Sequence, residues 1–99
     1  MTTHERTDRL ASLMHEFAAH FVRDEANAAP LITVTGVKIA SDLHRATVLV
    51  SVFPESQEIP ALTFLKRRRC AFRSFVKEKA RLKDTPFFDF AIDRAGQAR

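Results

Sequence analysis

Between Lys66 and Lys83 the chain places nine basic side chains, Lys66, Arg67, Arg68, Arg69, Arg73, Lys77, Lys79, Arg81 and Lys83, against one carboxylate, Glu78. That density is the requirement for holding a polyanion, because affinity for phosphates grows with the number neutralised and with their proximity. The bland alternative is a solvated helix face, but the excess is more than solubility needs. Residues 66–99 carry 11 basic and 4 acidic side chains, whereas residues 1–65 carry 5 and 8, so the formal net charge of +4 arises wholly in the last third. Arg45 adds a further cation, next to His44 in a turn, where the two either touch RNA or cover the turn.

Other reactive groups do not assemble into chemistry. His15-Glu16 and His20 resemble a zincin helix, yet that motif needs its histidines four apart and these are five apart, about 140° around a helix. Zinc is therefore rejected, and no cofactor or metal is expected. The single cysteine, Cys70, has no internal partner for a disulfide, and although neighbouring arginines favour a thiolate, no base is implied beside it. It reads as a packed residue of a helix kink. Asp42, His44 and Cys70 are the scattered polar candidates for an enzyme, and no motif links them. Phe87 is the one aromatic that strand alternation leaves outside a core and free to stack on a base.

These side chains need elements to position them. Leu10, Leu13, Met14, Phe17, Phe21 and Val22 follow the helical period over more than three turns, with a capping box at Thr2-Thr3-His4-Glu5 and a stop at Asn27 and Pro30. Leu31 to Ile39 is rich in β-branched residues, and its apolar phase changes across a bulge at Thr35-Gly36. After a turn at Ser41-Asp42, Ala46, Val48, Val50 and Val52 alternate with Arg45, Thr47, Leu49 and Ser51, as in a strand with one buried face. The two strands predict a hairpin, and Pro54 ends the second strand.

From Ile59 to Lys83 the pattern is helical, with Pro60 in the first turn. One straight helix would put Arg68 and Arg69 on the stripe of Leu62, Leu65, Phe72, Phe75 and Val76, where unpaired charges are costly to bury. A kink between Arg67 and Cys70 avoids this, so two helices are expected. The second carries Arg73, Lys77 and Arg81 as a solvent-facing ridge. Pro86 ends it, and Phe88, Phe90 and Ile92 alternate as a final strand. The order is α-β-β-α-α-β in an α+β domain of residues 1–93, with a polar C-terminal tail at 94–99.

The run Val34-Thr35-Gly36-Val37-Lys38-Ile39-Ala40-Ser41-Asp42-Leu43-His44-Arg45-Ala46-Thr47-Val48, with Arg6, Arg9, Phe72-Arg73, Arg81-Leu82, Pro86, Phe88, Phe90 and Asp93, resembles the bacterial ribosome-binding factor A family. The resemblance covers nearly the whole chain. It implies a type II KH-like fold, with a three-stranded sheet and helices packed on one face, and a kinked helix pair instead of a Gly-x-x-Gly loop. It implies a non-enzymatic ribosome assembly factor that binds the small (30S) ribosomal subunit, assists late maturation of 16S rRNA and matters most in the cold. The family's Ala-x-Gly kink reads Arg68-Arg69-Cys70 here, without its glycine.

The chain's two glycines, Gly36 and Gly96, cannot form the phosphate-clamping loop of a typical KH domain. Recognition is expected to rest on phosphate contacts from Lys66, Arg67, Arg68, Arg69, Arg73, Lys77, Arg81, Lys83 and Arg45, and on the shape of a folded RNA. The alternative is a basic protein-interaction module that binds an acidic protein. The longest apolar run, Ala46 to Phe53, is too short to span a membrane, and Met1 to Thr7 shows no secretory pattern, so a cytoplasmic monomer is expected.

Overall fold

The computed structural model describes residues 3–26, 31–82 and 84–94, with side chains 8–25 in the first helix. The capping box, the Asn27 and Pro30 stop, the Arg6 side chain, Lys83 and residues 95–99 of the tail lie outside the described residues. The order is α1 (Thr3–Ala26), β1 (Leu31–Ile39), β2 (Arg45–Phe53), α2 (Glu58–Arg67), α3 (Arg69–Ala80) and β3 (Phe87–Ile92), with a short 3-10 turn at Glu55–Gln57 before α2.

The strands form one sheet in the order β1-β2-β3, β1 antiparallel and β3 parallel to the central β2. A parallel neighbour needs a crossover, and α2 with α3 supplies it. The bulge falls where the phase of apolar residues changes: Val34 pairs with Val50 and Gly36 with Leu49, leaving Thr35 as the extra residue. The inserted residue restores the inward phase, so Val37 and Ile39 lie opposite Val48 and Ala46. Just past the end of β3, Asp93 accepts a 2.8 Å bond from the Thr35 hydroxyl of β1.

Ala46, Val48, Val50 and Val52 are buried beneath the helices together with Phe88 and Phe90. Phe72 of α3 occupies the centre of an aromatic cluster, its ring 4.6 Å from Phe88, 5.1 Å from Phe21 of α1 and 5.9 Å from Phe90. The first helix buries Met14, Ala18, Phe21 and Val22, whereas Leu13, expected in its apolar stripe, is exposed at the stripe's margin.

The helix pair breaks at Arg68, whose φ of −99° and ψ of 8° end α2, after which the Phe72 amide donates to the Arg68 carbonyl. Any residue can occupy that bridge region of backbone space. This is how the corner forms without a glycine. The break also turns Cys70 outward: it is exposed rather than packed, because it lies two residues, about 200° around the helix, from the buried Phe72. At the other end α3 stops at Ala80, earlier than the periodicity predicts. Arg81 takes a left-handed conformation, φ 53° and ψ 39°, and its amide bonds back to Lys77 O at 3.2 Å.

Candidate nucleic-acid interface

The corner between α2 and α3 leans over β3, and this decides which cations remain free. Asp89 stands on β3 between Phe88 and Phe90, so the alternation that buries the rings turns its carboxylate outward. Lys66 Nζ meets its Oδ1 at 2.8 Å and Arg69 at 3.4 Å. Partial burial alone would raise the Asp89 pKa, but the bonds from Lys66 and the Phe90 amide and the charges of Lys66 and Arg69 outweigh it and hold the carboxyl below its ordinary range. Arg68 is paired with Glu25 near the end of α1. Its buried Nε has no partner among the described residues. The exposed side chain of Arg67 has neither an ion pair nor a hydrogen bond among the described residues.

The expected ridge of Arg73, Lys77 and Arg81 divides as well. Arg73 does not face solvent. It is half-buried, donating to the Thr85 carbonyl at 2.9 Å and the Pro86 carbonyl at 3.2 Å, with its guanidinium carbon 4.2 Å from the centroid of the Phe87 ring. It thus fastens the start of β3 to α3. Neutral carbonyls hold the group without cancelling its charge. Lys77 and Arg81 are exposed and have no ion pair among the described residues, and Arg81 has left the helix face for the cap. Arg45 is exposed at the start of β2, directly beside Phe87 in the sheet register.

Between α3, the start of β3 and the β1–β2 turn lies an open cleft of about 310 Å³, lined by Leu43, His44, Arg73, Lys77, Asp84, Thr85 and Phe87. The turn is fixed by the Asp42 carboxylate, which accepts the His44 amide at 2.9 Å, and by Leu43 at φ 65°. The Phe87 amide donates to the His44 carbonyl at 3.0 Å, tying the turn to the cleft's other wall. Among the described side chains, the cysteine and the other histidines do not join this region: Cys70 is exposed at the corner, and His15 and His20 lie on α1. Sequence reasoning singled out Phe87 and His44, and missed Asp89 as the carboxylate that gathers Lys66 and Arg69. A signal existed, since an acidic residue in phase with the open face of a strand beside a basic helix invites pairing.

The model of one protein family, described as ribosome-binding factor A, matches residues 6–98. The chain belongs to the ribosome-binding factor A family. Ribosome-binding factor A of Chlorobaculum parvum is 36% identical over 93 residues, an alignment spanning 90% of this chain and 78% of that protein. The Desulfitobacterium hafniense ribosome-binding factor A is 34% identical over 91 residues, covering 89% and 73% of the two chains. The crystal structure of ribosome-binding factor A from Thermus thermophilus shares the fold at a TM-score of 0.77, with 22% identity, over 87% of this chain and 94% of that one. A homology model of the Thermus thermophilus ribosome-binding factor A, fitted into a cryo-EM map of a complex of that protein with the 30S subunit, aligns at a TM-score of 0.73 and 24% identity over 85% and 91% of the chains. Among the described residues, no helix is long and apolar enough to cross a membrane.

Proposed function

We propose that this member of the ribosome-binding factor A family binds the small ribosomal subunit in the cytoplasm and assists late maturation of 16S rRNA, with growth in the cold most dependent on it. The role is one of binding, not catalysis. What supports it, beside family membership and the relative fitted to a 30S complex, is one feature of this chain: Arg67, Lys77, Arg81 and Arg45 project with no ion-pair partner among the described residues. Cations that the fold leaves uncompensated release counterions when phosphate replaces solvent, and that release drives association. Lys66, Arg68 and Arg69 contribute only as far as RNA competes with Asp89 and Glu25.

Co-sedimentation with separated small subunits, large subunits and assembled ribosomes tests the reading. Retention on small subunits, weakening as salt rises, is expected. The triple variant Arg67→Glu, Lys77→Glu, Arg81→Glu should lose it while keeping the wild-type circular dichroism spectrum. Wild-type absence from small subunits, or equal retention of the triple variant, would overturn the proposal. Capture on a free acidic protein with no retention on the subunit would point to the protein-interaction alternative.

A further inference from the structure

Phe87 is 66% exposed, and no packing need explains a large ring in that position. Other strongly exposed apolar side chains, Leu31, Phe53 and Ile59, lie toward the opposite end of β2 or on α2, away from the cations of α3. Phe87 differs from them in three respects. One face is backed by the Arg73 guanidinium at 4.2 Å, which two carbonyl bonds hold in place. The ring borders the 310 Å³ cleft, whose lining includes Lys77 and His44. Its backbone is anchored to the turn through the His44 carbonyl, so the ring's base is tied to both walls of the cleft.

A planar ring with a fixed cation behind it, and an exposed ammonium and an imidazole beside it, matches the chemistry of a nucleotide. A base offers a π-face to the ring, and a phosphate accepts from Lys77. Asp84, also in the lining, is an acceptor only and suits the N–H edge of a base rather than a phosphate. The size fits as well, since the cleft is at the lower end of the volume range for small-ligand sites and too small to enclose a duplex. We infer that this cleft captures a single unpaired nucleotide of RNA, its base stacked on the free face of Phe87 and its phosphate held by Lys77. The inference rests on the RNA-binding reading above and adds to it a contact with a base, at the C-terminal half of α3 rather than at the α2–α3 corner.

The test uses the whole chain and two RNA probes, single-stranded hexa-adenylate and a fully paired hairpin whose two strands are joined by a non-nucleotide linker. The chain contains no tryptophan and no tyrosine, so Phe87→Trp introduces a unique fluorophore at the platform. Hexa-adenylate should quench its emission on stacking, and the paired hairpin should not. In filter binding, Phe87→Ala should lower affinity for hexa-adenylate about tenfold or more, Phe87→Tyr should restore it, and the hairpin should bind both variants like wild type. Thermal melts confirm that each variant is folded, as expected for a ring so exposed. No binding of hexa-adenylate by wild type, equal binding by Phe87→Ala, or an equal loss for hairpin and single strand would overturn the inference. Subunit binding separates this failure from that of the broader reading. If Phe87→Ala binds hexa-adenylate and subunits like wild type and the Arg67, Lys77, Arg81 reversal does not, the cationic surface stands and the nucleotide site falls; if the reversal also has no effect, both fall.

Discussion

The α2–α3 corner and the C-terminal half of α3 look alike in sequence, each a dense set of arginines and lysines, and the fold uses them in opposite ways. At the corner Lys66 and Arg69 share the Asp89 carboxylate and Arg68 is paired with Glu25, so only Arg67 of four successive cations projects its charge unopposed. Further along α3 and at its cap, Lys77 and Arg81 have no ion pair among the described residues, and Arg73 is bound by carbonyls that leave its charge intact. The first set holds elements together through opposite charge. The second holds them through geometry and leaves its field in the solvent. A count of basic residues therefore overstates the uncompensated charge of the corner relative to that beside the cleft.

The largest effect that sharpens this contrast should come from Arg73→Ala. It removes two charge-assisted hydrogen bonds and the cation on Phe87, and a loss of about 2–3 kcal/mol is expected from urea unfolding. Lys77→Ala, one turn further, should change stability by no more than about 0.5 kcal/mol. Equal effects of the two would erase the distinction between a bound and a free cation on α3. Next in size is Arg81→Gly. A left-handed residue at a helix end favours glycine, so the variant should gain about 1 kcal/mol in the same assay while binding RNA more weakly. A loss of stability would mean that the side chain, not the cap, matters there.

The smallest effect belongs to the corner. Asp89 is about half exposed, so Asp89→Asn should cost less than about 1 kcal/mol at neutral pH. Because the folded carboxyl titrates below its ordinary value of 3.8, its contribution is complete above that value and is lost as pH falls through the folded value. The stability difference between wild type and Asp89→Asn should therefore shrink on acidification below 3.8, as read by thermal melts across that range. At neutral pH the same variant leaves Lys66 and Arg69 uncompensated, and retention on a polyanion at low salt should rise.

Which of these features could be read from the chain follows from the range of the interactions. The inward set of β2, the bulge at Thr35 and the break before Arg69 rest on local pattern: period, phase, and the cost of placing Arg68 and Arg69 on an apolar stripe. Each was legible and each is observed. The end of α3 was not, because Arg81 adopts its left-handed cap with no glycine to announce it. The division of the cations was hidden for a different reason. Asp89 lies 23 residues from Lys66, and Arg73 reaches main-chain acceptors 12 and 13 residues ahead, so their partners appear only once the crossover has folded back. The exposure of Phe87 was visible in the alternation of β3, while the guanidinium behind it was not.

The parallel pairing of β3 with β2 also has a consequence in time. The β1–β2 hairpin closes over a five-residue turn and can form early, since local contacts lose little chain entropy. The other edge of β2, from Arg45 to Val50, must wait for β3. About 40 residues separate the end of β2 from the end of β3, which at roughly 5–20 residues per second of synthesis is about 2–8 seconds. For that interval an unpaired strand edge beside an apolar face stands open on the nascent chain, a template for pairing with any other strand that meets it. The helices of the crossover are made during that wait, and by collapsing onto Val48 and Val50 before β3 arrives they would shield the growing domain from aggregation.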